Sequence, residues 1–538
     1  MTTSSLPPRP QQLTVADAFR EAMRLDGLGQ YAEALKLCQQ ILKARPDQVD
    51  VLHLMGVIAF HAGRNEEAIL RLKQALKLKP DMAEAALNLS KVYRHKNKWR
   101  EYLAALEMVH AHWPERADVL TDMGFAEEQM GHHDAAIARL RQALAVNPRA
   151  ALAHDNLGTI FTRLGNIAEA EAHLKAALEV EPDMFTALMT LALVHDAADR
   201  RDDVIATYDR ILQRHPDQVY AHFQRALANL CQGNFREGWE EYLWRFRRPD
   251  SRTLHEAFPA PFWQGEPLQG RKLLVWTEQG LGDEILLASM IPDVLERGAH
   301  VTLVCSPRLV PLFRRSFKDC AVVSMEDAGR IGKADAPDVQ ASFSHLGAAL
   351  RPSMESFPAR PSYLVAEAAR RAKLRAAYQA HAPGTKLVGI AWHSANVGAA
   401  QQKSVALPDW APILKIPGAT FVSLQYGEHA QDAKAFDIIV DKSVNPLKDI
   451  DGFAAQVAAM DHVVSISNTT VHVSGALGVP TSTMIPASYG RIWYWFLDRS
   501  DSPWYPAMRL YRQGRGEDWA PTLTAVADDL AQRLGERA

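Results

Sequence analysis

The sequence predicts a multidomain chain: an N-terminal all-α solenoid of helical repeats, then two consecutive α/β domains with parallel sheets. Three observations carry this. Six prolines, Pro46, Pro80, Pro114, Pro148, Pro182 and Pro216, fall 34 residues apart without a slip. From Arg271 that period stops, and a strand, a glycine turn, a helix and a second strand follow. A second set of strand-like runs begins near residue 381. In folds of this class ligands sit at the carboxyl ends of the strands, so the loops there hold the candidate site.

The repeat persists at other phases. Small residues recur at Gly56, Ser90, Gly124, Gly158, Ala192 and Ala226, where the two helices of one unit must approach closely. Seven residues later stand Gly63, Asn97, Gly131, Gly165, Asp199 and Gly233, types that tolerate the left-handed backbone of a turn between helices. A third phase, Ala34, Ala68, Tyr102, Ala136, Ala170, Val204 and Gly238, marks the inner contact of the second helix. Period and pattern resemble the tetratricopeptide repeat, with a proline closing each unit. About seven units fit between residues 13 and 248, after a flexible tail at 1–12, and Trp99 and Tyr102 predict an irregular third unit.

The 538-residue length accommodates a solenoid plus globular domains, and 47% apolar content is ordinary for a water-soluble chain. A net charge of -3 carries no basic excess, which argues against nucleic acid or an anionic membrane as main partner. No run reaches the roughly eighteen apolar residues that cross a bilayer, and Met1 to Gln12 has no signal-peptide pattern, so a cytoplasmic location without membrane insertion is expected. Cys38, Cys231, Cys305 and Cys320 lack CxxC spacing and read as reduced thiols.

Residues 249–270, with Pro259, Pro261, Pro267 and Gly270, read as an ordered connector. Residues 271–380 and 381–538 then form the two α/β domains. Leu273 to Trp276 and Val301 to Cys305 are strands flanking a helix from Glu284 to Arg297. Leu387 to Trp392, Thr420 to Leu424, Ile438 to Val440, Val463 to Ile466 and Thr481 to Ile485 are the later strands. Trp519, Leu523, Val526, Leu530 and Leu534 share one face of a C-terminal packing helix.

Two stretches carry chemistry. In Glu278-Gln-Gly-Leu-Gly-Asp283 the glycines let backbone amides approach a ligand. Asp283 either caps the following helix or serves as a carboxylate that takes a proton from an attacking hydroxyl. In Ser465 to His472 a buried strand runs into hydroxyl and amide side chains and then a small-residue helix, whose terminus suits a phosphate. His472 reads equally as a ligand to that phosphate or as a structural histidine. Asp449-Ile-Asp451 imitates a metal-binding DxD signature, yet it opens a helical run and is read as a cap; no metal is expected.

Residues 271–538 resemble GT-B glycosyltransferases of the heptosyltransferase-like group, and the whole chain resembles bacterial proteins that join tetratricopeptide repeats to such a domain. The matching stretches are Gln279-Gly-Leu-Gly-Asp283, Val422-Ser-Leu-Gln-Tyr-Gly-Glu428, Asn468-Thr-Thr-Val-His472 with Gly475-Ala-Leu-Gly478, and Asp501-Ser-Pro-Trp-Tyr-Pro506. The resemblance implies Asp283 as general base of an inverting displacement at the sugar's anomeric carbon. It implies Lys403, Gln425, Glu428, Asn468, Thr469, Thr470 and His472 as the donor site, with Lys403, Thr469 and His472 near phosphate and Glu428 near ribose. It implies no cofactor beyond a nucleotide-sugar co-substrate. Relatives commonly carry aspartate where this chain has Ser467, a departure that bears on donor choice and activity.

Two positions before the small residues from Ser90 onward stand Asn88, Asp122, Asn156, Thr190 and Gln224, while Leu54 breaks the row at its start. This row is either a solvated polar face or a ladder that hydrogen-bonds an extended peptide, and it resembles the asparagine ladder of O-linked N-acetylglucosamine transferase. The expected function is therefore transfer of a sugar to serine or threonine of a polypeptide gripped by the repeats. The resemblance to repeat-fused flagellin glycosyltransferases implies flagellin as acceptor and a CMP-linked nonulosonic acid as donor. The alternatives are a heptosyltransferase-like enzyme of lipopolysaccharide or glycan assembly, and a non-catalytic scaffold; self-association through the repeats stays open.

Overall fold

The computed structural model of the protein describes residues 14–247, 260–331, 336–394, 403–427, 432–433, 435–487 and 492–535. The chain divides into two compact units, Met1–Ala198 and Asp199–Ala538.

The first unit is a run of antiparallel helix pairs: α1 (Val15–Gly27), α2 (Tyr31–Ala44), α3 (Val49–His61), α4 (Asn65–Leu78), α5 (Ala83–His95), α6 (Trp99–His112), α7 (Ala117–Gln129), α8 (His133–Val146), α9 (Ala151–Arg163), α10 (Ile167–Val180) and α11 (Phe185–Ala197). Each proline of the 34-residue beat stands two residues past the end of a second helix, where a residue without an amide proton cannot prolong it. The small residues do what the spacing predicts. A Cβ on Gly56, Gly124 or Gly158 would lie 2.5–2.6 Å from Cγ of Leu72, Leu140 or Leu174 on the paired helix. The turn positions Gly63, Asn97, Gly131 and Gly165 have φ of 73°, 53°, 79° and 77°, the left-handed region that reverses the chain. The third unit is not irregular: α5 and α6 keep the 13- and 14-residue lengths of the other pairs. Tyr102 is buried there, and Trp99 meets Phe125 edge-on at 5.6 Å.

The second unit begins with more of the repeat pattern, α12 (Arg201–Arg214), α13 (Val219–Gln232) and α14 (Phe235–Tyr242), and a 3₁₀ turn at Leu243–Arg247. These helices pack into the α/β part, sharing one core in which Leu230, Phe235, Trp239 and Tyr242 meet Leu273, Val275 and Ile285. Trp239 is fully buried, donates its indole N–H to the Arg351 carbonyl at 3.0 Å and meets Trp493 edge-on at 5.2 Å. Gly347 is required there, because a Cβ would come within 2.6 Å of the Trp239 ring. The last helix pair is thus a wall of the α/β unit as much as the end of a solenoid.

Two parallel sheets follow. Strands β1 (Lys272–Trp276), β2 (His300–Cys305), β3 (Cys320–Ser324) and β4 (Val339–Ser342) run in the order β3-β2-β1-β4. Strands β5 (Lys386–Ala391), β6 (Ala419–Ser423), β7 (Ile438–Ile439), β8 (His462–Ile466), β9 (Thr481–Ile485) and β10 (Met508–Arg512) run β10-β9-β8-β5-β6-β7. Both orders reverse beside the first strand of the sheet, between β1 and β4 and between β5 and β8. At such a switch point the loops leave in opposite directions and open a crevice. Of the strands, β3, β4 and β10 are not among those expected from the sequence. The C-terminal helix at Ala520–Gly535 packs as expected, with Leu523, Val526 and Leu530 buried.

Candidate active site

The loops at the two switch points carry most of the residues singled out above. After β1, Thr277 to Gly280 lead into the helix α15 (Leu281–Leu287), with Asp283 in its first turn. Asp283 Oδ2 accepts the Gly280 N–H at 3.2 Å, so it does cap this helix. It also lines a cavity of about 610 Å³, so the two readings of this residue are compatible. The other walls of that cavity are Phe223 and Leu227 of α13, Tyr242, Arg245 and Phe246 at the end of the repeats, Glu278, Met325, Ile492 and Trp493.

The site is charged but sheltered. Burial raises the Asp283 carboxyl above the ordinary carboxylate value, against the Gly280 amide, the Arg245 and Lys403 charges and the Tyr494 hydroxyl, which all favour its ionised form. Glu284 next to it is likewise raised by burial, and its Oε2 accepts the Ser306 N–H at 2.9 Å. Glu278 is held by Ser344, whose N–H and hydroxyl reach its Oε1 at 2.9 and 2.5 Å, and by Arg245 at 3.3 Å. Lys403, in the loop after β5, is 4% exposed, and burial lowers its ammonium while the Asp283 charge opposes that shift. A buried lysine within electrostatic range of a buried carboxylate at a switch point is a cation suited to an incoming phosphate.

The remaining donor candidates separate into two groups. Thr469, first residue of the eight-residue helix at Thr469–Ala476 (α16), is half-buried, and among the described residues no hydrogen bond ties its side chain into the protein. The others are occupied by the protein itself. Gln425 Oε1 accepts the Trp392 and His393 amides at 3.0 and 2.9 Å, and its Nε2 donates to the His393 and Tyr426 carbonyls at 3.2 and 3.0 Å. It ties the ends of β5 and β6 together. Asn468 caps α16 through the Thr470 N–H at 2.9 Å, and Thr470 is fully buried. Glu428 lies outside the described residues. Asp449 accepts the Gly452 N–H at 2.8 Å as a helix cap, and no cluster of metal-ligating side chains occurs among the described residues.

His472 is placed otherwise than a phosphate ligand. It is 3% exposed, with Nδ1 2.9 Å from the Tyr505 hydroxyl, Nε2 3.2 Å from the Tyr494 hydroxyl and the Trp495 ring stacked on it at 5.4 Å. Burial pushes its pKa down to about 3, so it stands neutral at physiological pH and brings no charge to a phosphate. Ser467 is buried too, accepting the Trp495 indole N–H at 2.9 Å; the position where relatives carry aspartate faces the protein interior. Tyr494 and Arg245 escape a reading by motif, while Glu278 and Tyr505 stand in quoted stretches without a role of their own. The aromatic run Trp493-Tyr-Trp-Phe496 was the signal available for the first.

Of the ladder residues, Asn88 Nδ2 bonds His53 Nε2 at 2.8 Å and Asp122 pairs with Arg94 at 3.2 Å. Asn88, Asp122, Asn156 and Thr190 recur at one phase of α5, α7, α9 and α11, all half-buried; Gln224 holds that phase on α13. A second cavity, of about 690 Å³, lies at the amino-terminal ends of β1 and β2 beside Lys272 and His300, away from the switch points.

Known proteins resemble parts of this chain. One tetratricopeptide-repeat family description matches residues 62–109 and 121–185, and a second matches 27–71 and 162–230, so the chain carries tetratricopeptide repeats. Protein FlbA of Caulobacter vibrioides is 33% identical over 334 residues, covering 58% of this chain and 55% of that protein. The chain thus spans about half the length of that relative. Among solved structures, MamA is 26% identical over 30% of this chain and 94% of its own, with a TM-score of 0.29. A tetratricopeptide repeat protein of Parabacteroides merdae is 15% identical, covering 43% of this chain and 91% of its own, with a TM-score of 0.37. YrrB, described as a TPR protein with an unusual peptide-binding site, is 18% identical over 34% and 95%, with a TM-score of 0.30.

Proposed function

We propose that this protein is a glycosyltransferase that takes a polypeptide in its repeats and transfers a sugar from a nucleotide-activated donor to a serine or threonine hydroxyl. The observation that supports it is Asp283, a carboxylate of raised proton affinity that lines a cavity at a sheet switch point, within the electrostatic reach of Lys403. In the reaction, Asp283 takes the acceptor hydroxyl proton as that oxygen bonds the anomeric carbon. The bond from that carbon to the donor phosphate breaks, and the electrons leave on the phosphate, where Lys403 and the amino-terminal end of α16 stabilise the charge. One displacement inverts the anomeric centre. Following the family resemblance, flagellin is the proposed acceptor and a CMP-linked nonulosonic acid the proposed donor, with the reaction taking place in the cytoplasm. Among the described residues no helix is long and apolar enough to cross a membrane.

The test is incubation of the purified chain with candidate acceptors and labelled CMP-, UDP- and ADP-sugars. Label in polypeptide supports the proposal, and label confined to lipid or glycan selects the heptosyltransferase-like alternative. A second reading, a non-catalytic scaffold, is favoured by one observation: Gln425, Asn468, Thr470 and His472 are engaged or buried within the protein. It predicts no transfer to any acceptor.

A further inference from the structure

Two side chains at the end of the repeats reach the loop that leads to Asp283. The Tyr242 ring is fixed by its neighbours: Phe223 of α13 lies 5.3 Å from it, and Trp239 and Trp493 meet it edge-on at 5.7 and 6.3 Å. Its hydroxyl therefore holds one place, and two donors converge on it, Gln279 Nε2 and, at 3.2 Å, Arg245 Nη1. Arg245 also pairs through Nη2 with Glu278 Oε2 at 3.3 Å, while Ser344 holds the other oxygen of Glu278. Both residues between Thr277 and Gly280 are thus tied down by their side chains.

Gln279 needs that tie. Its φ is 73°, in the left-handed region that glycine enters freely and most side chains disfavour. At Asn97 and Asp199 the same backbone is carried by short polar residues that tolerate it; glutamine is not of that type. The peptide unit between Gln279 and Gly280 carries the Gly280 N–H, so the backbone angles of Gln279 set where that N–H points. It points at Asp283 Oδ2, 3.2 Å away. A continuous path therefore runs from the Tyr242 hydroxyl through Gln279 and the Gly280 amide to the carboxylate.

We propose that Tyr242 is a positioning residue for Asp283: from the end of the repeats it clamps Gln279 in the left-handed conformation that turns the Gly280 N–H onto the carboxylate. This rests on Asp283 as the base of the proposed reaction. The last helix pair then supports the catalytic loop, with Tyr242 acting through Gln279 and not on the reacting atoms.

Glycine adopts the left-handed conformation unaided, which separates a clamp from a packing role. Crystal structures of full-length variants read the geometry without substrate. Tyr242→Phe keeps the ring and removes the oxygen; Gln279 is expected to leave positive φ, and the Gly280 amide to move out of hydrogen-bond range of Asp283. Adding Gln279→Gly to Tyr242→Phe is expected to restore the contact. A Tyr242→Phe structure that keeps the left-handed Gln279 and the Asp283 contact overturns the proposal, whether or not transfer activity is found. Gln279→Ala removes the same bond from its other end and decides the matter if Tyr242→Phe does not fold: an opened contact is expected, and a retained one overturns the proposal. In a transfer-competent preparation, Tyr242→Phe should lower kcat about ten- to a hundredfold with donor KM unchanged, and the added Gln279→Gly should return most of it. A loss that glycine does not relieve assigns Tyr242 to packing and refutes the clamp.

Discussion

Substituting Gly282 with alanine tests the packing on which the site depends. The added carbon would stand 2.8 Å from Cδ2 and 3.2 Å from Nε2 of His472. A flexible neighbour would yield, but this ring is stacked on Trp495 and bonded on both nitrogens. Overpacking of this kind costs about 1–3 kcal/mol. Alanine's better fit to a helix returns roughly 0.5–1 kcal/mol, so the net loss should be about 1–2 kcal/mol. In domains of 150–250 residues each kcal/mol moves Tm by about 2–4 °C, and a fall of roughly 2–8 °C is expected. Tryptophan fluorescence is the appropriate probe, because ten of the twelve tryptophans lie beyond Ala198 and report the second unit. A Gly282→Ala protein that melts at or above the wild-type temperature would refute the close approach of α15 to His472.

Other outcomes follow from the same geometry. Asp283→Asn should lower turnover by about 10²–10⁴-fold while acceptor pull-down stays intact; undiminished turnover removes Asp283 as base. The Asp283 carboxyl titrates above its unfolded value, so the folded state binds more protons and loses stability as pH rises from that value through the raised pKa. Asp283→Asn should therefore melt above wild type at pH 8 and close to it at pH 4, and the reverse order contradicts the burial argument. Gly158→Ala should destabilise the first unit by about 1–3 kcal/mol, because the new carbon would sit 2.5 Å from Leu174 Cγ; helical circular dichroism on heating reads it. Replacing Asn156 and Thr190 with alanine should weaken acceptor capture about tenfold, given roughly 0.5–1.5 kcal/mol per hydrogen bond. An unchanged Kd removes the ladder.

The solenoid was legible because a 34-residue beat puts the same steric demand on the same positions: proline past each second helix, a small residue at each crossing and a left-handed residue at each turn. Tyr102 broke the small-residue phase without breaking the fold, since its ring is buried among Trp99, Leu106 and other neighbours of its own repeat. The strands β4 and β10 were missed because Val339–Ser342 and Met508–Arg512 are short and mix apolar with polar residues, and β3 because the apolar run of Cys320–Ser324 is only four residues long. At the site, glycine turns and the strand-to-helix passage at Ser467 revealed the loops, because those features are local. Side-chain direction was not. Whether His472 points to solvent or into the protein depends on Tyr494, Trp495 and Tyr505, which lie more than twenty residues away. Arg245 and Tyr242 were hidden for a similar reason: a helix pair that keeps the repeat pattern reads as solenoid, although Trp239 buries it in the α/β core.

The most direct measurement is the intact mass of a candidate polypeptide acceptor after incubation with the full chain and a nucleotide sugar, for wild type and Asp283→Asn in parallel. The account predicts an increment of one sugar residue per modified hydroxyl with wild type, and none with the variant. An unchanged acceptor mass with every donor class, or an equal increment from the variant, would contradict it.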